Sequence, residues 1–78
     1  MLLIMIYTKT SDNHIVDLIQ SISMININIE GVKTISRDNI TYELSCYVTG
    51  IEQLDKLILA IKKNSFVEKV ERAFRWEY

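Results

Sequence analysis

Ser11, Asp12 and His14 place a hydroxyl, a carboxylate and an imidazole within four positions, and they are the first residues here whose types suggest chemistry. A nucleophile relay needs a base within hydrogen-bonding reach of the nucleophile and a third group to orient that base. Such sets are brought together by folding rather than by adjacency. Residues this close at the start of a helix cannot easily form a relay. Helix capping and an exposed first-turn histidine account for them instead. The chain has one histidine and one cysteine, Cys46, so neither a histidine-rich metal site nor a thiolate cage can be built. Asp17, Glu30, Glu43 and Glu52 are scattered over polar positions and offer no paired carboxylates. No cofactor is expected, and the chain itself is not expected to be an enzyme.

The elements that position these residues follow from periodicity. Leu2 to Thr8 is a continuous run of β-formers that suits a central strand. Ser11, Asp12 or Asn13 can cap a helix that runs to about Ser23, with Ile15, Leu18, Ile19 and Ile22 on one face. "MININIEGVKT", Met24 to Thr34, alternates apolar and polar residues as a second strand does, extending to about Ser36. The apolar parity shifts between Ile29 and Val32, so Gly31 is read as a bulge or a close approach of chains. Arg37 to Asn39 reads as a hairpin turn, with Asp and Asn tolerating left-handed backbone.

In the third strand Ile40, Tyr42, Leu44, Cys46 and Val48 face one way, and Thr41, Glu43, Ser45 and Tyr47 the other. Thr49 and Glu52 at capping-box spacing open a second helix with Ile51, Leu54, Leu57, Ile58 and Ile61 as its stripe. Glu52 can pair with Lys56 one turn on, and Asn64 can end the helix in left-handed conformation. A last strand runs from about Phe66 to Trp76. The order β-α-β-β-α-β with right-handed crossovers predicts an α+β, ferredoxin-like fold: a four-stranded antiparallel sheet with both helices on one face.

That fold serves many functions, so sites must decide. A heavy-metal carrier on it needs two cysteines in the loop after the first strand, and Lys9 to Asn13 has none. An acylphosphatase needs a glycine-bearing phosphate cradle with an arginine there, and neither is present. The bare sheet face is more informative. If Ile4 and Ile6 point to the helices, then Leu3, Met5 and Tyr7 lie on the open face, joined by Tyr47. Such a face can stack RNA bases or meet another domain or a second copy. Arg72, Phe74, Arg75 and Trp76 keep the RNA option open, whereas the net charge of −1 supplies no basic field. The apolar start, "MLLIMIY", is too short for a signal peptide or a membrane span, so no membrane association is expected, and the single cysteine, which allows no intrachain disulfide, points to a reducing, cytoplasmic setting.

The stretch from Ile27 to Arg72 resembles the C-terminal ACT domain of RelA/SpoT-type (p)ppGpp synthetase/hydrolases, the GTP pyrophosphokinases. An Ile-Asn-Ile element opens the second strand, with Asn28, Gly31 and Val32 in place. Val48, Thr49 and Leu54 match a strand end leading into the second helix, and Val67, Val70 and Arg72 match the opening of the last strand. The resemblance spans about Ile4 to Phe74. It implies a single ACT domain over residues 1–78, a C-terminal piece of a larger stringent-response enzyme.

Such domains are regulatory. They pair as homodimers or dock on other domains of the parent, and ribosome-bound members contact ribosomal RNA. Others bind an amino acid beside the first loop, which corresponds here to Thr10, Ser11, Asp12, Asn13 and His14. In that loop the family pattern "D-x-x-G-L-L" is altered: Thr10 stands for the aspartate and Asn13 for the glycine. The sequence therefore leaves three readings: a regulatory docking module, an amino-acid sensor (free-standing or from a biosynthetic enzyme), and an RNA-contacting module.

Overall fold

Leu2–Thr8 (β1) hydrogen-bonds to a strand on either side and so is a central strand, as its continuous run of β-formers predicts. The structure, a computed structural model, describes residues 2–36 and 38–74. β1 is followed by α1 (Ile15–Ser23), β2 (Asn28–Ser36), β3 (Ile40–Tyr47), α2 (Ile51–Lys62) and β4 (Val67–Phe74). The sheet order is β2-β3-β1-β4 with every neighbour antiparallel, the ferredoxin-like arrangement expected from the sequence. Arg37, at the tip of the expected hairpin, and Arg75 and Trp76 lie outside the described residues.

The core lies between the sheet and the helices. Ile4 and Ile6 of β1 and Tyr42, Leu44 and Cys46 of β3 pack against Leu18 and Ile22 of α1 and Leu54, Leu57 and Ile61 of α2. Burying each such Leu or Ile stabilises the fold by about 1.5–3 kcal/mol. Cys46 is buried, and burial pushes its thiol pKa up, so little reactive thiolate forms. Labelling by a thiol reagent is therefore expected to be slow in the native protein and fast after denaturation. Equal rates in the two states would contradict this packing.

Two helical stripes are narrower than their periodicity suggests. Ile19 is 45% and Ile51 73% exposed, because one sheet face covers only the innermost positions of each helix. The second strand begins at Asn28, so the Ile25–Asn26–Ile27 alternation lies in the connection before it. No described residue outside glycine has positive φ. Asn64 therefore closes α2 without the expected left-handed turn: its backbone N–H and its side-chain Nδ2 both donate to the Ile61 carbonyl, at 3.2 and 3.0 Å.

The bulge expected at Gly31 is present. Ile29 faces Cys46 and Gly31 faces Ser45, leaving Glu30 as the additional residue. The glycine itself is not demanded there. Its φ is not positive, and a Cβ at this position would meet nothing within 4 Å. Gly31→Ala is expected to leave the melting temperature unchanged or slightly raised, because the unfolded chain loses freedom. A fall of more than several degrees would show that the close approach exists after all.

Candidate functional site

Thr8 ends β1 as a buried hydroxyl, and its partners fix the loop that follows. Its O–H donates to the Ile40 carbonyl at 2.7 Å, and the Ile40 N–H donates to the Thr10 carbonyl at 3.0 Å. The Thr10 hydroxyl accepts the Asp12 N–H at 3.0 Å, and Asn13 Oδ1 accepts the Ile15 N–H at 3.0 Å. Thr10 and Asn13 are thus spent on local turns, as short polar side chains often are. His14 is the N-cap of α1 and makes no side-chain capping bond; Asn13, one residue earlier, is the member of the expected Ser11–Asn13 set whose side chain accepts a first-turn amide.

Tyr42 completes the arrangement. Its ring is fully buried on β3, and its hydroxyl emerges beneath the loop. That hydroxyl donates to Asn13 Oδ1 at 2.9 Å and accepts the His14 N–H at 2.7 Å. The polar side chain standing at the family's glycine position is therefore held by the chain's own core. The alternating pattern placed Tyr42 among core residues but not in this role. The signal available was a hydroxyl among Ile, Leu and Cys, since a buried tyrosine O–H requires a partner.

His14 stacks on Phe66 with ring centroids 4.6 Å apart, and its Nδ1 lies 3.4 Å from Asp17 Oδ2. Ser11 and Asp12 are exposed, and among the described residues no side-chain bond links either to His14. The nucleophile set is thus not assembled. Beside the loop lies an open, polar groove of about 700 Å³ lined by Thr10, His14, Asp17, Lys63 and Phe66, among others. Among the described residues no group of three or more His, Cys, Asp or Glu is placed to hold a metal ion.

A second polar tie joins the opposite ends of the helices. Gln53 Oε1 accepts both the Thr49 N–H and its hydroxyl, and Gln53 Nε2 donates to the Asn26 carbonyl. The expected partner of Thr49 was Glu52. Because Gly50 is the N-cap, the third helical residue is Gln53, which reaches back instead. Asn28 is exposed at the head of β2 opposite Tyr47, and Gln53 is the residue that fixes the incoming connection.

The open sheet face differs from the expected platform. Leu3 is only 4% exposed, so it cannot serve as a contact surface. Met5 and Tyr7 are half-buried and, with Ile35 and Thr41, line a shallow hollow of about 260 Å³. Tyr7 faces Thr41, whereas Tyr47 lies six residues further along β3, about 20 Å away at the rise of a strand. The two tyrosines cannot stack neighbouring bases. Tyr7 is also engaged within the chain: its O–H donates to Glu71 at 3.3 Å, and the Lys69 ammonium lies 5.7 Å from its ring centre. Lys69 pairs with Glu71, holding that carboxyl below the usual carboxylate range and raising its own pKa in return.

The order of the elements and the antiparallel β2-β3-β1-β4 sheet define a ferredoxin-like fold. No protein-family model matches the chain, and no curated protein sequence matches it. Solved structures do. The chain is similar to the ACT domain of the GTP pyrophosphokinase of Chlorobium tepidum, in its crystal structure at 25% identity and a TM-score of 0.78, over 92% of this chain and 95% of that one. The solution structure of the same domain matches at 25% identity and a TM-score of 0.78, over 100% of this chain and 91% of that one. The likeness to the ACT domain of RelA/SpoT-type enzymes, read from the sequence, is matched in three dimensions.

Proposed function

We propose that this chain is a non-catalytic regulatory ACT domain of a cytoplasmic (p)ppGpp synthetase/hydrolase, acting by self-pairing or by docking on other domains of that enzyme. The observation that carries the reading is the end-to-end similarity to the ACT domain of a GTP pyrophosphokinase. Two features support it. The polar groups of Thr10 and Asn13 already bond the chain's own backbone and Tyr42. The β2 edge of the sheet carries unpaired backbone groups, an arrangement that favours pairing with another chain.

α1 adds apolar surface on the β2 side. α2 packs against β4, which leaves α1 nearer β2. Ser21 of α1 and Met24 at its end share a groove with Lys56, Leu59 and Ala60 of α2, so Val16 and Ile19, across the helix, turn toward the β2 edge. Both are exposed.

The parent is tested with an antibody against this chain applied to a denaturing gel of its native cells. The expected band is an enzyme-sized polypeptide that also contains a nucleotidyltransferase domain. A band of 78 residues alone would overturn the fragment reading.

The amino-acid sensor is the second reading, favoured by the polar groove beside His14 and Lys63. Calorimetry against the twenty amino acids decides between them. Neither heat nor a shift in melting is expected if the loop is self-satisfied, and micromolar binding lost in His14→Ala would favour the sensor.

A further inference from the structure

Met24 and Leu59 are 91% and 62% exposed, and both line the seam between α1 and α2. With Ile25 and Ala60 they line an apolar groove of about 470 Å³, bordered by Ser21, Lys56 and Lys63. A second hollow of about 600 Å³ continues it past Met24, Ile25 and Lys56 toward Asn26 and Ile51. The walls are tied at both ends. Gln53 holds the Asn26 carbonyl at one end, and Ser21 lies 3.0 Å from Asn64 Oδ1 at the other. A groove fixed in this way spares a ligand much of the cost of ordering it.

The charged lining of the seam groove is Lys56 and Lys63 alone. They lie seven residues apart on the same face of the helical segment, roughly 10 Å at the helical rise. Among the described residues neither has an ion-pair partner, and the Glu52–Lys56 pair expected from their spacing is not formed. An apolar floor with a cation near each end calls for an occupant with an apolar stripe and two anions the same distance apart. Carboxylates at i and i+7 of an amphipathic helix meet that requirement, and a methionine-lined surface can adapt to the stripe. A nucleic acid fits poorly, because two lysines provide no phosphate track and Glu52 lines the adjoining hollow beside Lys56.

We propose that the α1–α2 groove docks an acidic amphipathic helix of a partner protein, with its apolar face on Met24 and Leu59 and its carboxylates on Lys56 and Lys63. This surface is separate from the β2 edge and stands whether or not the chain self-pairs.

The probe is a synthetic helical peptide with a leucine stripe and glutamates seven residues apart, followed by methyl resonances and by fluorescence anisotropy. Binding is expected to shift Met24 and Leu59 and to leave Met5 of the open sheet face unmoved. The exposed double variant Lys56→Glu with Lys63→Glu is expected to weaken it at least tenfold. That variant should in turn accept a peptide with lysines in place of the glutamates. Leu59→Asp gives a second route to the same loss, with resonance dispersion reporting that each variant remains folded. No binding, binding indifferent to the charge reversal, or shifts centred on the sheet face would each overturn the proposal. So would decanoate moving the same methyls where the peptide does not, which would assign the groove to a small apolar acid.

Discussion

Tyr42→Phe is expected to lower the melting temperature markedly and to release the 10–14 loop while leaving the rest of the sheet intact. The substitution removes a single oxygen, but that oxygen accepts the His14 N–H and donates to Asn13 Oδ1. Phenylalanine fills the same buried volume, so the packing term barely changes. What remains is a half-buried N–H with no acceptor, an omission that costs about 1–3 kcal/mol. In a domain of this size each kcal/mol corresponds to roughly 4–8 °C of melting temperature. Amide exchange separates this cause from general loosening. Protection should fall at His14 and Ile15 and be retained at Leu44 and Leu57. An unchanged melting temperature with unchanged His14 protection would show that the hydroxyl does not hold the loop.

The second large effect is expected at the β2 edge. Val16 is 64% and Ile19 45% exposed, so replacing both by aspartate should change the folding stability of a single copy by little. If the two side chains are covered in a dimer, the same change puts two buried, unpaired charges at its interface. Removing water from such charges is costly enough to raise the dimer dissociation constant by at least a hundredfold. Sedimentation of the double variant should show monomer at concentrations where the parent chain pairs. A variant that dimerises as well as the parent would place the pairing surface elsewhere.

How much of this was legible depended on which physical rule governed each residue. Ile40, Tyr42, Leu44 and Cys46 were readable as buried because a half-covered strand must alternate, and all four are in the core. The bulge between Ile29 and Val32, read at Gly31 and formed at Glu30, was readable because one additional residue reverses side-chain parity for everything after it. The stripes of the helices were overdrawn at Ile19 and Ile51. Periodicity marks an apolar face but not how wide a face one sheet can cover.

The candidate site was less legible still. Thr10 and Asn13 were visible as loop residues, but Ile40 and Tyr42, which anchor them to the sheet, belong to β3, distant in sequence. The exchange of Gln53 for Glu52 in the cap followed from a helix that starts one residue later than the motif suggested. Tyr7 and Tyr47 shared a face by parity, but strand register alone decides that they stand at opposite ends of it.

The proposed regulation by contact between chains, with no amino acid held in the first loop, is tested most directly by sedimentation equilibrium of the 78-residue chain up to high concentration, with and without the twenty amino acids. A reversible dimer is predicted, dissociated by the Val16→Asp and Ile19→Asp pair and unaffected by any amino acid. A strict monomer throughout, or a dimer that forms only when an amino acid is added, would contradict it.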